Sequence, residues 1–160
     1  VLEEPAIRLA IASDAPGVSA LIHSQLHHRS PKPAGPAPPE FLAGFSVETM
    51  RDCLVSNRYR YLVASIEGQL VGVLGIRDEQ HLLHFFVSEP YQRQGIGRAL
   101  WCRARSDLLA TTGEIRIVVN SSIYAIPVYE RFGFRASGPR VEDAGITYLP
   151  MQIEISAGRS

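Results

Sequence analysis

The stretch Tyr91-Gln92-Arg93-Gln94-Gly95-Ile96-Gly97-Arg98 decides how the rest of the chain is read. It follows an apolar run, His81 to Val87, of strand length. It opens a second run, Gly95 to about Ala110, in which Ile96, Leu100, Leu108 and Leu109 recur at helical spacing. Strand end, donor-rich loop, two glycines and helix start thus succeed one another. Backbone N–H groups at a helix N-terminus cradle anions, and glycine lets a phosphate approach the main chain. Arg93 and Arg98 add positive charge. Two readings stay open on these residues alone: a pyrophosphate cradle, or a tight turn flanked by solvated arginines. The common nucleotide loops do not fit. Gly95 and Gly97 supply G-x-G, but Leu100 stands at the third position of G-x-G-x-x-G, and no Gly-Lys dipeptide exists for a G-x-x-x-x-G-K-[ST] loop.

Upstream, Tyr59 to Ile66 and Leu70 to Arg77 read as strands joined by the turn Glu67-Gly68-Gln69, and Asp78-Glu79-Gln80 turns the chain into His81 to Val87. That is an antiparallel meander whose last, most apolar strand is central. Downstream, Thr111-Thr112-Gly113 ends the long helix and Ile115 to Val119 forms a short β-branched strand, parallel to its neighbour because a helical crossover precedes it. A short helix from Ser122 to Phe132 stops at Gly133, and strands near Phe134 to Ser137 and Thr147 to Ile155 follow. At the other end, Ala6 to Ile11 is a strand, and Ser13 or Asp14 caps a helix with Val18, Leu21, Ile22 and Leu26 on one face. Ser46 caps a second helix, Phe45 and Met50 being spaced as a hydrophobic staple. Between those helices, residues 30–39 hold five of the eleven prolines, which no helix or central strand tolerates. They form a surface loop within a single domain spanning 1–160. The expectation is an α+β domain with a mixed sheet.

Composition narrows the function. Sixteen Lys and Arg balance sixteen Asp and Glu over 160 residues, so the basic excess that drives general nucleic-acid or anionic-membrane binding is missing. The longest apolar runs are strand-sized, far below the ~20 residues of a membrane span. Cys53 and Cys102 fall on the apolar sides of their helices and read as buried spectator thiols. The start VLEEPAIRL places acidic residues where a secretory leader is basic, so a cytoplasmic location is expected. His27-His28 has no matching Cys, Asp or Glu cluster, and no metal is expected.

From Val87 to Leu100 the chain resembles motif A of the GNAT superfamily of N-acetyltransferases, whose core is Q/R-x-x-G-x-G/A. Val119 to Phe134, with Tyr129-Glu130-Arg131-Phe132-Gly133-Phe134, is similar to that family's motif B. The two motifs stand in the family's order, and the element order matches over nearly the whole chain. The resemblance implies a GNAT fold: a mixed, mostly antiparallel sheet of about seven strands flanked by helices, with a V-shaped splay between the fourth and fifth strands. It implies acetyl-CoA as donor, no metal, and a primary amine of a small molecule or a protein as acceptor. The pyrophosphate would rest on Arg93, Gln94, Gly95, Ile96, Gly97 and Arg98. The pantetheine arm would pair like an added strand with the main chain of Phe85, Phe86 and Val87. A backbone N–H there would polarise the thioester carbonyl.

Tyr129 corresponds to the family's general acid, which protonates the departing thiolate; its other reading is a core tyrosine. The base departs from the pattern. Ile117 stands where some relatives carry a Glu, and His81 stands where others do. An imidazole can take an amine's proton near neutrality, so His81 is either the base or an idle residue at a strand start. His84 lies closer to the donor's path and can equally be packed. Ser122 replaces the Asn common in motif B, with Asn120 two residues before it. The pair either contacts the pantetheine amides, or Ser122 only caps a helix. Family acceptors approach along His23 to Thr49 and Val141 to Tyr148. Two other readings remain, a non-catalytic acyl-CoA-binding module and a nucleotide-binding module. Ile153 and Ile155, near a sheet edge, permit a homodimer.

Overall fold

The computed structural model describes residues 4–26, 44–143 and 145–156. The proline-rich segment 30–39, His27 and His28 lie outside them. The strands are β1 (Ala6–Leu9), β2 (Tyr59–Ile66), β3 (Gln69–Arg77), β4 (His81–Val87), β5 (Glu114–Ser122), β6 (Arg135–Ala136), β7 (Val141–Asp143) and β8 (Ile146–Ser156). The helices are α1 (Ala15–Leu26), α2 (Val47–Val55), α3 (Ile96–Thr112) and α4 (Ile126–Phe132). Eight strands form one sheet in the order β1-β2-β3-β4-β5-β8-β6, with β7 also on β8. Among the described strands only β4 and β5 run parallel. The eighth strand beyond the expected seven is β7, three residues whose polar sequence carries no strand signal.

Local chemistry makes the turns. Between β2 and β3, Glu67 (φ 52°) and Gly68 (φ 79°) are both left-handed, the twist a two-residue hairpin needs. Asp78 (φ 53°) and Glu79 (φ 59°) repeat this before β4, and the Arg58 guanidinium holds Asp78 with bonds of 3.1 and 2.9 Å. At the β1–α1 corner, the Asp14 carboxylate accepts the Ile11 N–H at 2.8 Å and two Arg8 N–H groups at 2.7 and 2.9 Å. The bonds from Arg8 hold the Asp14 carboxyl below the usual carboxylate range. Ser46 caps α2 by accepting the Thr49 N–H at 3.2 Å. The Ser19 hydroxyl of α1 donates to the Phe45 carbonyl at 2.6 Å, seating α2 against α1.

The sheet is covered on both faces because its strands alternate. In β2, Leu62 and Ala64 join a core with Leu100, Trp101 and Leu108 of α3, whereas Tyr61 and Val63 join one with Val18 and Ile22 of α1 and Met50 of α2. The buried stripe of α3 is Ile96, Leu100, Trp101, Ala104 and Leu108. Cys102 falls outside that stripe and is exposed, not buried, while Cys53 is half-buried; both thiols are free. The segment expected as one helix from Ser122 divides into a 3-10 turn over Ile123–Ala125 and then α4. Strand β5 runs three residues past Val119 because β8 pairs it to its end, up to Ser122↔Tyr148.

Candidate active site

Strands β4 and β5 pair only at His81↔Val118 and Leu82↔Val119. Beyond that point each stays with its other neighbour: β4 with β3 as far as Gly72↔Val87, β5 with β8 as far as Ser122↔Tyr148. The two arms therefore diverge, and the expected splay opens between residues 83–87 and 120–122.

The register of β4 on β3 moves from Ile76↔Leu82 to Gly75↔His84, so Leu83 is an extra residue in a bulge at the root of the fork. Past it, Phe85 and Val87 side chains lie with the α3 core, while Phe86 belongs to the α1–α2 core. The Ser88 N–H donates to the Val71 carbonyl at 2.8 Å. By strand alternation, Phe86 then spends its peptide groups on β3, and those of Phe85 and Val87 face the gap. The Val87 carbonyl accepts from Gln92 Nε2 at 2.9 Å.

At the mouth of the gap stands the N-terminus of α3. Gly95 (φ 86°) is its cap and Arg93 (φ 64°) is also left-handed. The N–H groups of the first turn, Ile96 to Arg98, have no acceptor within the helix. The Ile96 side chain is buried, so only its main chain can serve a ligand; Arg93 and Arg98 are exposed. The bare backbone of Gly97 lies against Phe85 and Val87, where an added Cβ would come 3.5 Å from the phenyl ring. Gln94 Nε2 donates to the Pro90 carbonyl at 3.1 Å, bracing the loop. Gln92, which sequence reading did not select, also donates to Gln25 Oε1 of α1 at 3.0 Å.

Tyr129 is 3% exposed. Its ring meets Phe85 edge-on at 6.1 Å and Phe134 at 5.3 Å between centroids, so it packs in the α3 core against a residue of β4. On β5 the alternation buries Ile115, Ile117 and Val119 against α3 and turns Asn120 outward on the opposite face. Ser122 Oγ accepts the Ala125 N–H at 3.3 Å, a capping role. Ile117 is fully buried.

The two β4 imidazoles differ in setting. His81 lies where β4 and β5 still pair, and burial, then the charge of Arg77, lower its pKa below the usual value. His84 stands past the bulge beside Phe85, in one row of the ladder with Tyr61 and Gly75. Its Nδ1 is 2.8 Å from the Tyr61 hydroxyl, and Phe45 covers it at 5.2 Å between centroids. Burial, with smaller contributions that include the Cys53 thiol, raises the Tyr61 pKa, so the phenol stays protonated. A methyl on Gly75 would run into the Tyr61 ring. A glycine inside a strand pattern marks such close approach, and that signal could have exposed the row. Among the described residues no group of three or more His, Cys, Asp or Glu is placed to hold a metal, and no helix is long and apolar enough to cross a membrane.

Residues 29–155 match the family profile described as an acetyltransferase (GNAT) domain. No curated protein matches the sequence significantly. Similar solved structures include PaiA N-acetyltransferase from Thermoplasma acidophilum in complex with coenzyme A, at 17% identity and TM-score 0.78, over 96% of this chain and 100% of that one. A GCN5-related N-acetyltransferase from Rhodopseudomonas palustris aligns at 20% identity and TM-score 0.76, over 97% and 98%. YncA from Salmonella typhimurium, with its cofactor acetyl-CoA, aligns at 16% identity and TM-score 0.65, over 99% and 98%.

Proposed function

The chain belongs to the GNAT acetyltransferase family, and from that premise we propose that it transfers the acetyl group of acetyl-CoA directly to a primary amine of a small molecule or a protein. The observation that carries this reading is the fork: β4 and β5 part after two residue pairs, beside a glycine-capped helix N-terminus. The N–H groups from Gly95 to Arg98 receive the pyrophosphate, with Arg93 and Arg98 supplying charge. The peptide groups of Phe85 and Val87 receive the pantetheine amides, so the Gln92 amide must yield the Val87 carbonyl. Ser122 caps its turn, and Asn120 contributes from the far side of the gap.

In the reaction the amine nitrogen attacks the thioester carbonyl, the C–N bond forms and the C–S bond breaks. A gap-facing N–H of β4 stabilises the oxyanion. Tyr129, beside Phe85 at the gap, gives its proton to the CoA thiolate and is reprotonated from solvent. The amine's proton goes to an imidazole of β4, His81 or His84.

Calorimetry with acetyl-CoA, desulfo-CoA and ATP tests the donor site. Submillimolar binding of both CoA compounds with ATP silent is expected; a folded chain that binds neither overturns the reading. A non-catalytic acyl-CoA-binding module would bind them without releasing CoA to any amine.

A homodimer and a cytoplasmic location belong to the same proposal. The side chains of Ile153 and Ile155 pack into the core, but β8 past Gln152 pairs with β5 alone among the described strands, leaving backbone open to a second copy. Light scattering that returns a monomer at high concentration overturns the dimer. The two free thiols fit a reducing compartment, which cell fractionation checks.

A further inference from the structure

We infer that His84 is the residue that takes the proton from the acceptor amine, with Tyr61 and Gly75 as the device that positions it. The inference rests on the acetyl transfer proposed above and assigns the base within it. Three observations converge. First, the bulge at Leu83 reverses the alternation of β4, so His84 lies on the α1–α2 side of the sheet while its neighbour Phe85 lies on the α3 side. The donor cradle and Tyr129 are on the α3 side, so an amine meeting the thioester through the fork comes from the face that bears His84. Second, His84 immediately precedes Phe85, whose peptide groups face the gap, one Cα step of about 3.8 Å away. His81 sits before the fork, about 13 Å from Phe85 at the strand rise of 3.3 Å.

Third, His84 is built into a row. Tyr61↔Gly75 and Gly75↔His84 are successive cross-strand pairs, and the absent side chain at Gly75 lets the Tyr61 ring reach over β3 to bond Nδ1. With Nδ1 committed to the phenol, proton exchange falls to Nε2. In the proposed tautomer Nδ1–H donates to the Tyr61 oxygen in the neutral as well as the charged ring, so the neutral ring keeps its lone pair on Nε2 to take the proton. Among the described residues, the titratable groups that printed contacts place around it are the Tyr61 phenol from β2, 2.8 Å from Nδ1, and the Cys53 thiol of α2 behind that phenol. Protons balance: the amine gives one to Nε2, Tyr129 gives one to the thiolate, and solvent discharges the first and replaces the second.

The test measures CoA release from acetyl-CoA against pH with 2-phenylethylamine, spermidine and an alanine-ended peptide as acceptors. Wild type is compared with H84Q, H81Q and Y61F, and acetyl-CoA affinity is measured on each. Loss of the acidic limb of kcat/KM in H84Q is expected, with kcat down about 100-fold or more and donor affinity unchanged. Y61F is expected to keep the limb but move its midpoint, which a merely structural tyrosine would not do. H81Q is expected to keep the limb in place. An H84Q enzyme that retains the limb, or an H81Q enzyme that loses it, overturns the assignment. A folded wild type that binds acetyl-CoA but acetylates none of the amines overturns the transfer reading itself, and this inference falls with it.

Discussion

The rings of Phe85 and Tyr129 meet edge-on, 6.1 Å apart at 63°, across the line where β4 leaves β5. One belongs to the strand whose peptide groups face the gap, the other to α4, and the proposed acid role of Tyr129 rests on this neighbourhood. Removing only its oxygen keeps the packing. Tyr129→Phe is expected to lower kcat by about 100-fold or more and to leave acetyl-CoA affinity within a factor of three, as read by steady-state kinetics and calorimetry on one preparation. Unchanged turnover would remove Tyr129 as the acid.

Gly95 caps α3 at φ 86°, a conformation costing about 1–2 kcal/mol for a residue with a Cβ. No atom lies within 4 Å of an added methyl, so Gly95→Ala acts through backbone strain alone. Both thermal stability and CoA affinity should fall, because the strained residue aims the N–H groups of the cradle. A gain in either would contradict this account.

His81 has a folded pKa lowered by burial and then by Arg77. Between that value and the unfolded one near 6.5, the unfolded chain binds more protons, so stability rises with pH across this window. The contribution is fully present above about 6.5 and is lost as the pH falls through the folded value. Urea midpoints of wild type should therefore drop more steeply than those of His81→Gln on acidification from neutrality. Parallel curves would show that burial of His81 carries no such cost.

Leu100 is fully buried between α3 and the sheet. Leu100→Ala is expected to cost about 2–5 kcal/mol by denaturant unfolding. A smaller loss would mean that the α3 core refills the space.

Cys102 is exposed and Cys53 half-buried. A thiol reagent should modify Cys102 first in the native protein, and Cys53 at a comparable rate only once the chain unfolds. Mass spectrometry after brief labelling distinguishes the two.

Much of the fold was legible because its signals are local. Gly133 (φ 103°) stops α4, Ser46 caps α2, and the Glu67-Gly68 turn joins β2 to β3. The parallel β4–β5 pair followed from the length of the crossover. What escaped depends on register. Nothing in His81-Leu82-Leu83-His84 announces a bulge, since an extra residue is defined only against the partner strand. The face on which His84 lies was therefore hidden. Cys102 lies outside the buried stripe because Ile96, Leu100, Ala104 and Leu108 recur every four residues and two steps from Leu100 turn it to the opposite face of α3. Gln92 bonds Gln25 across 67 positions of sequence, a partnership no local pattern carries.

The short β4–β5 pairing also has a mechanical meaning. On one side of it β1 to β4 form a hydrogen-bonded plate; on the other, β5 to β8 form a second. The seam between the plates is two residue pairs long, reinforced by the Val118 N–H on the Gln80 carbonyl at 2.8 Å and strapped by α3. Two residue pairs fix the angle between the plates less firmly than a full ladder would, and whatever fills the notch adds hydrogen bonds beyond the end of the seam. The amide hydrogen of Val118 sits at the hinge line, and its exchange rate reports how tightly the two halves are clamped.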